Sequence, residues 1–94
     1  MELNAAFGEA LKRIRSRQKK TQEDFSVVSS RTYMSTLERG LKSPTIEKMD
    51  AISAVLEVHP LTLLAATYLV QEQMEVSALV GRLCDELISL GWQD

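Results

Sequence analysis

The sequence predicts an all-α fold, and three observations predict it. Leu, Ala, Glu, Lys, Gln and Met are plentiful while Gly and Pro number only 4 and 2 among 94 residues, a balance that favours helix. No run alternates apolar and polar residues strictly enough to make a half-buried strand. Apolar residues instead recur three and four apart, between residues that start and stop helices. A chain of this length holds one modest core, without room for a separate ligand-binding or catalytic domain.

The first helix spans about Asn4 to Lys19, with Phe7, Leu11 and Ile14 as its buried stripe and Lys12, Arg13, Arg17, Lys19 and Lys20 on its outer side. Thr21 then caps a second helix whose first turn, Gln22, Glu23 and Asp24, suits the helix dipole, and Phe25 and Val28 share its inner face. A third helix starts at Ser30, whose hydroxyl can cap the amides of Thr32 or Tyr33. It runs to Arg39 and is stopped by Gly40, the residue that tolerates a left-handed conformation. Met34 and Leu37, with Glu38 beside them, face inward. Arg31, Thr32, Ser35, Thr36 and Arg39 face outward, a set of small or cationic donors that can approach a groove closely. After the loop Leu41 to Pro44, Thr45 caps a fourth helix with Ile46, Met49, Ile52, Val55 and Leu56 as apolar contacts, and a fifth begins near His59 and Pro60.

The tail from Ala66 to Gly91 carries a second pattern. Leu69, Val76, Val80, Leu83, Leu87 and Leu90 follow a three-four alternation in which Gln73 is the only polar member, and Leu79, Cys84 and Ile88 widen the stripe. One helix with this much apolar surface offers more than a five-helix core needs, so the six seam residues are expected to form an oligomer interface. No repeat, low-complexity segment or Pro/Gly-rich linker marks a boundary, and the change of composition alone divides the chain into 1–66 and 67–94.

Residues from about Phe7 to Ala66 resemble the Xre/Cro-like helix-turn-helix family of phage repressors and bacterial transcriptional regulators. The resemblance rests on LKRIRSRQKKTQEDF at Leu11 to Phe25, SRTYMSTLERG at Ser30 to Gly40, and SPTIEKMDAISAVLEVHPLTLLA at Ser43 to Ala65. It implies a five-helix, phage-repressor-like DNA-binding domain, which the apolar seam beyond it extends with a C-terminal oligomerisation helix. It also implies that the helix Ser30 to Arg39 enters the major groove of a pseudo-palindromic operator, with two copies spaced one helical turn apart, roughly 34 Å. Between Gln22 and Gly40 the chain is two residues shorter than the family pattern and lacks the glycine of the turn, having Val27, Val28, Ser29 and Ser30 there. A shortened helix two or a tighter turn follows.

The resemblance assigns roles residue by residue. Arg31, Thr32 and Thr36, with Ser35 one position away, stand where the family contacts base edges, Arg suiting guanine and Thr a hydrogen bond or a thymine methyl. Gln22 matches a glutamine that holds a phosphate at a helix N-terminus, and Tyr33, Arg39 and Lys42 flank the reading helix with donors for the backbone. Arg15 and Glu38 stand where the family has a partly buried structural ion pair. The bland alternatives are a solvated helix face for the first set and simple capping for Gln22.

Charge is segregated along the chain, which is formally −2 overall. Lys12 to Lys48 holds ten Lys or Arg against four Asp or Glu, whereas from Leu61 onward one Arg faces five acidic residues. A basic module joined to an acidic tail is compatible with double-stranded DNA and a homo-oligomer, dimer or tetramer, as partners. The rival reading is a protein-interaction module that binds another regulator or a toxin through the same fold. That version calls for apolar or acidic residues on the outward face of helix three. Catalysis has no paired Ser and His, no Gly-rich phosphate loop and no metal quartet to stand on, so no enzyme, cofactor, metal or small-molecule ligand is expected. His59 reads as a helix cap or a surface residue, and Cys84 as a small core or interface residue. With a single cysteine, no signal-peptide pattern and no apolar run near the ~20 residues that span a bilayer, a cytoplasmic location is expected, away from the membrane.

Overall fold

A computed structural model describes all residues, Met1–Asp94. The chain forms five α-helices and one 3-10 turn, with no strand: α1 (Leu3–Arg17), the 3-10 turn (Gln22–Phe25), α2 (Arg31–Glu38), α3 (Ile46–Val55), α4 (Pro60–Glu72) and α5 (Val76–Ser89). No single helix is long and apolar enough to cross a membrane.

Local signals account for three helix starts and one helix stop. The Ser30 hydroxyl accepts the Tyr33 amide at 3.0 Å, and the Thr45 hydroxyl accepts the Lys48 amide at 3.0 Å, so α2 and α3 each start on a side-chain cap. His59 does the same for α4, its Nδ1 accepting from the Leu61 amide at 3.0 Å ahead of Pro60 in the first turn. Gly40 ends α2 at φ +74°, and a Cβ there would lie 2.8 Å from the Ala5 Cα, so both conformation and space require glycine.

The core is one cluster of Phe7, Leu11, Phe25, Met34, Leu37, Ile52, Leu56 and Leu63, drawn from every element except α5. Its main contact is α1 against α4, with α2 laid across the N-terminal half of α1. Gly8 makes that crossing possible, because a Cβ at this position would sit 2.5 Å from the Leu37 carbonyl oxygen and 2.6 Å from that of Glu38. The α1 and α2 backbones touch there.

Four expectations need correction. Helix one ends at Arg17, not Lys19, because Lys19 turns left-handed at φ 59° and redirects the chain. Helix two is shortened, as the missing residues lead one to expect, to a single 3-10 turn, and Val28 therefore packs on the core from the following turn and not from a helix face. Ile46, placed among the apolar contacts of helix four, is 81% exposed, while Ile52 and Leu56 are fully buried. The tail from Ala66 to Gly91 is two helices: Gln73 adopts φ 51°, ψ 39° and breaks it, leaving Leu69 on α4 and Val76 to Leu90 beyond the break. Position 66 itself lies inside α4.

Helix α5 contacts only α4 and buries no residue completely. Leu79 and Leu83 turn toward Tyr68 and Met74, lining a shallow groove between the two helices. Val76, Val80, Leu87, Ile88, Leu90 and Trp92 stay largely in the open.

Candidate nucleic-acid interface

The eight residues of α2 present two faces. Met34 and Leu37 are fully buried, which fixes the rotation of the helix about its own axis. Arg31 and Thr32 are exposed on the opposite side, and Ser35 and Thr36 are half-buried at its edge. Thr36 donates its hydroxyl to the Thr32 carbonyl at 2.8 Å, which leaves the oxygen lone pairs and the methyl group available outward. Arg31, Arg39 and Lys42 have no carboxylate partner; the three ion pairs of the structure lie at Arg13 with Glu9, Arg15 with Glu38, and Arg82 with Glu86. Arg39 leans its Nε back toward the Ser35 carbonyl at 3.4 Å.

The C-terminal end of α2 is anchored by Glu38, whose carboxylate accepts Arg15 Nε at 2.6 Å and Arg15 Nη2 at 2.9 Å. Arg15 also donates Nη1 to the Lys20 carbonyl at 2.8 Å. Only 14% of the Arg15 side chain and 5% of the Glu38 side chain are exposed, so this fork is shielded from water. Hydrogen bonding to Glu38 raises the Arg15 pKa above its ordinary value, against the lowering effect of burial and with the help of the Glu38 charge.

Gln22 joins this group instead of standing free, its Nε2 donating to Glu38 Oε1 at 3.1 Å. Its amide keeps a second N–H hydrogen, and the Glu38 contact sets where that hydrogen points. Asp24 reaches back to accept the Thr21 amide at 2.7 Å, which holds the 3-10 turn closed. Tyr33 is half-buried against the core, and Lys42 is exposed in the loop after Gly40.

Two contacts here had no counterpart in the sequence reading. Gln18 donates Nε2 to the Leu56 carbonyl at 2.8 Å, joining the ends of α1 and α3. Lys48 of α3 donates Nζ to the Val28 carbonyl at 2.6 Å and lies 5.5 Å from the centre of the Tyr33 ring. The one hint in the sequence was a lysine in the first turn of a helix, where the dipole prefers an acid.

This layout, a capped helix displayed beyond a short turn and braced at its far end, has a counterpart in sequence comparison: a helix-turn-helix family model matches residues 11–63. The chain belongs to the Xre/Cro-type helix-turn-helix family. Members are DNA-binding regulators and not enzymes. A search of curated proteins gave no match. Among solved structures, the chain is similar to the clp gene regulator ClgR from Corynebacterium glutamicum, with a TM-score of 0.68, 24% identity, and coverage of 99% of this chain and 98% of that one. That likeness is one of fold, and it extends past the family match through α4 and α5.

Proposed function

We propose that this chain is a sequence-specific DNA-binding transcriptional regulator, which places α2 in the major groove of a pseudo-palindromic operator and binds as a homo-oligomer. The observation that carries the reading is the outward face of α2. Arg31, Thr32, Ser35 and Thr36 lie on or beside the exposed side of a helix whose axis is braced by the Arg15–Glu38 fork, and none is used in an ion pair. Such a face suits base edges, while Gln22, Tyr33, Arg39 and Lys42 lie beside it to contact phosphates. The fold it shares with a gene regulator is consistent with the same role.

The division of labour we propose sets the body, through Glu72, as the reading unit and α5 as the assembly element. Seven apolar side chains from Val76 to Trp92 are between 46% and 75% exposed. At about 30 Å² per side-chain carbon they offer roughly 550 Å² of apolar surface. A stable homodimer buries about 800 Å² on each partner, about 65% of it apolar, so the supply matches the need. The break at Gln73 changes which residues take part. Leu69 belongs to the body, and Leu83 is partly turned toward α4, so the free stripe centres on Val76, Val80, Leu87 and Ile88. The same exposed stripe supports a second reading, in which α5 binds another regulator or a toxin.

Selection of bound fragments from random DNA tests the proposal directly. Enrichment of a two-fold symmetric site is expected, with affinity falling steeply as salt rises, by about 0.9 in log–log slope for each phosphate neutralised. Recovery of no common sequence, or affinity indifferent to salt, would favour the protein-binding reading.

A further inference from the structure

We infer that Lys48 is a positioning residue for the reading helix, a clamp that ties the turn before that helix to α3; the inference deepens the proposed DNA-binding role of α2 and rests on it. The turn from Ser26 to Ser30 has no glycine, and the element before it is a single 3-10 turn. Val28 donates its amide to the Phe25 carbonyl, but its own carbonyl receives no backbone amide. The Lys48 ammonium is its hydrogen-bond donor, at 2.6 Å.

Lys48 reaches across a gap that backbone packing leaves. Helix α3 packs on α4 and on the 3-10 turn but makes no close backbone approach to α2. The lysine stem spans this distance, and Nζ settles between the Val28 carbonyl and the face of the Tyr33 ring. Tyr33 is the residue whose amide Ser30 caps, so the ammonium touches both sides of the α2 start. A cation in the first turn of α3 opposes that helix's dipole, and the two contacts offset the mismatch.

Helix α2 therefore has two fixed ends. Glu38 is held by Arg15 and Gln22, and the N-terminal end is held by Lys48. With the Glu38 end pinned, a pivot of about 10° over a helix about 12 Å long moves the N-terminal residues by about 2 Å. Arg31 is the first of those residues, and a shift of that size breaks a bidentate contact with a base.

The test compares the full chain with Lys48→Met, which keeps the stem over Tyr33 and removes the donor, and with Lys48→Arg, which restores a donor and a charge. Each is titrated with a selected duplex and a scrambled one over a salt series, alongside thermal melting and amide exchange of α2. A positioning role is expected to reduce the ratio of specific to scrambled affinity roughly tenfold in Lys48→Met, with the salt slope unchanged and most of the ratio regained in Lys48→Arg. Faster exchange at the start of α2 should accompany it. Equal weakening on both duplexes, with a slope smaller by about 0.9 for each subunit bound, would make Lys48 a phosphate ligand and overturn the inference. An unchanged ratio would overturn it too, even with a lowered melting temperature. If the unaltered chain fails to discriminate between duplexes, the DNA reading itself fails, and exchange at the α2 start in Lys48→Met still decides the clamp: faster supports it, unchanged refutes it.

Discussion

Removing one partner of the Arg15–Glu38 fork is a severe change for this domain, although neither residue belongs to its apolar core. Arg15→Ala leaves the Glu38 carboxylate, whose side chain is 5% exposed, with only the Gln22 amide at 3.1 Å to replace two charge-assisted bonds. Breaking a buried pair this way costs about 3 to 5 kcal/mol. Glu38→Ala falls at the lower end, because Arg15 keeps the Lys20 carbonyl as an acceptor. A domain of this size has a total stability of roughly 5 to 14 kcal/mol, so a loss of about 3 kcal/mol lowers Tm by roughly 12 to 24 °C. Arg15→Met combined with Glu38→Leu should cost less than either alanine change, since no orphaned charge remains. Urea titration and calorimetry of the two alanine variants measure their costs, and the unaltered chain, Arg15→Met, Glu38→Leu and the double variant together close the cycle. The pH dependence is equally specific. A raised Arg15 pKa means that its contribution is fully present below the unfolded pKa and is lost only as pH climbs through the still higher folded one. The Arg15 contribution is therefore flat from about pH 6 to pH 10. A cost below about 1 kcal/mol for Arg15→Ala, or a double variant equal to the sum of its singles within about 0.5 kcal/mol, would refute the idea that this fork is a coupled, shielded anchor.

Two further outcomes follow from the interface. Arg31→Ala should lose roughly 1 to 3 kcal/mol of discrimination at one base pair in each half-site, while Lys42→Ala should weaken all sequences about equally; binding titrations on single-base operator variants separate the two, and identical behaviour would place Arg31 on the backbone. Val80→Glu with Leu87→Glu should give a folded monomer that holds a single half-site weakly and loses its tight grip on a two-half-site operator, because the second contact no longer benefits from tethering. Sedimentation decides that case, and an unchanged mass would move the interface off α5.

The sequence was most informative where structure is local. Ser30, Thr45 and His59 announce helix starts because the capping group and the amide it satisfies are two or three residues apart, and Gly40 announces a stop because few other residues tolerate its backbone conformation. The outward face of α2 was likewise readable, since Met34 and Leu37 are three residues apart and leave Arg31, Thr32 and Thr36 on the other side. The break at Gln73 was not readable. Its residue type permits helix, the seam spacing runs straight through it, and only the packing of Met74 and Leu79 near Tyr68 shows the chain folding back on α4.

Sequence alone therefore determined the fold class, the caps at Ser30, Thr45 and His59, and the side of α2 left exposed, because each is set by contacts within one or two helical turns. Tertiary structure decided the rest. It brought Gly8 against the α2 carbonyls, recruited Gln22 to the Arg15–Glu38 fork and delivered Lys48 to the Val28 carbonyl, 20 residues away in sequence. Contacts of that kind depend on how helices cross, and crossing geometry is a property of the packed core that no local spacing records.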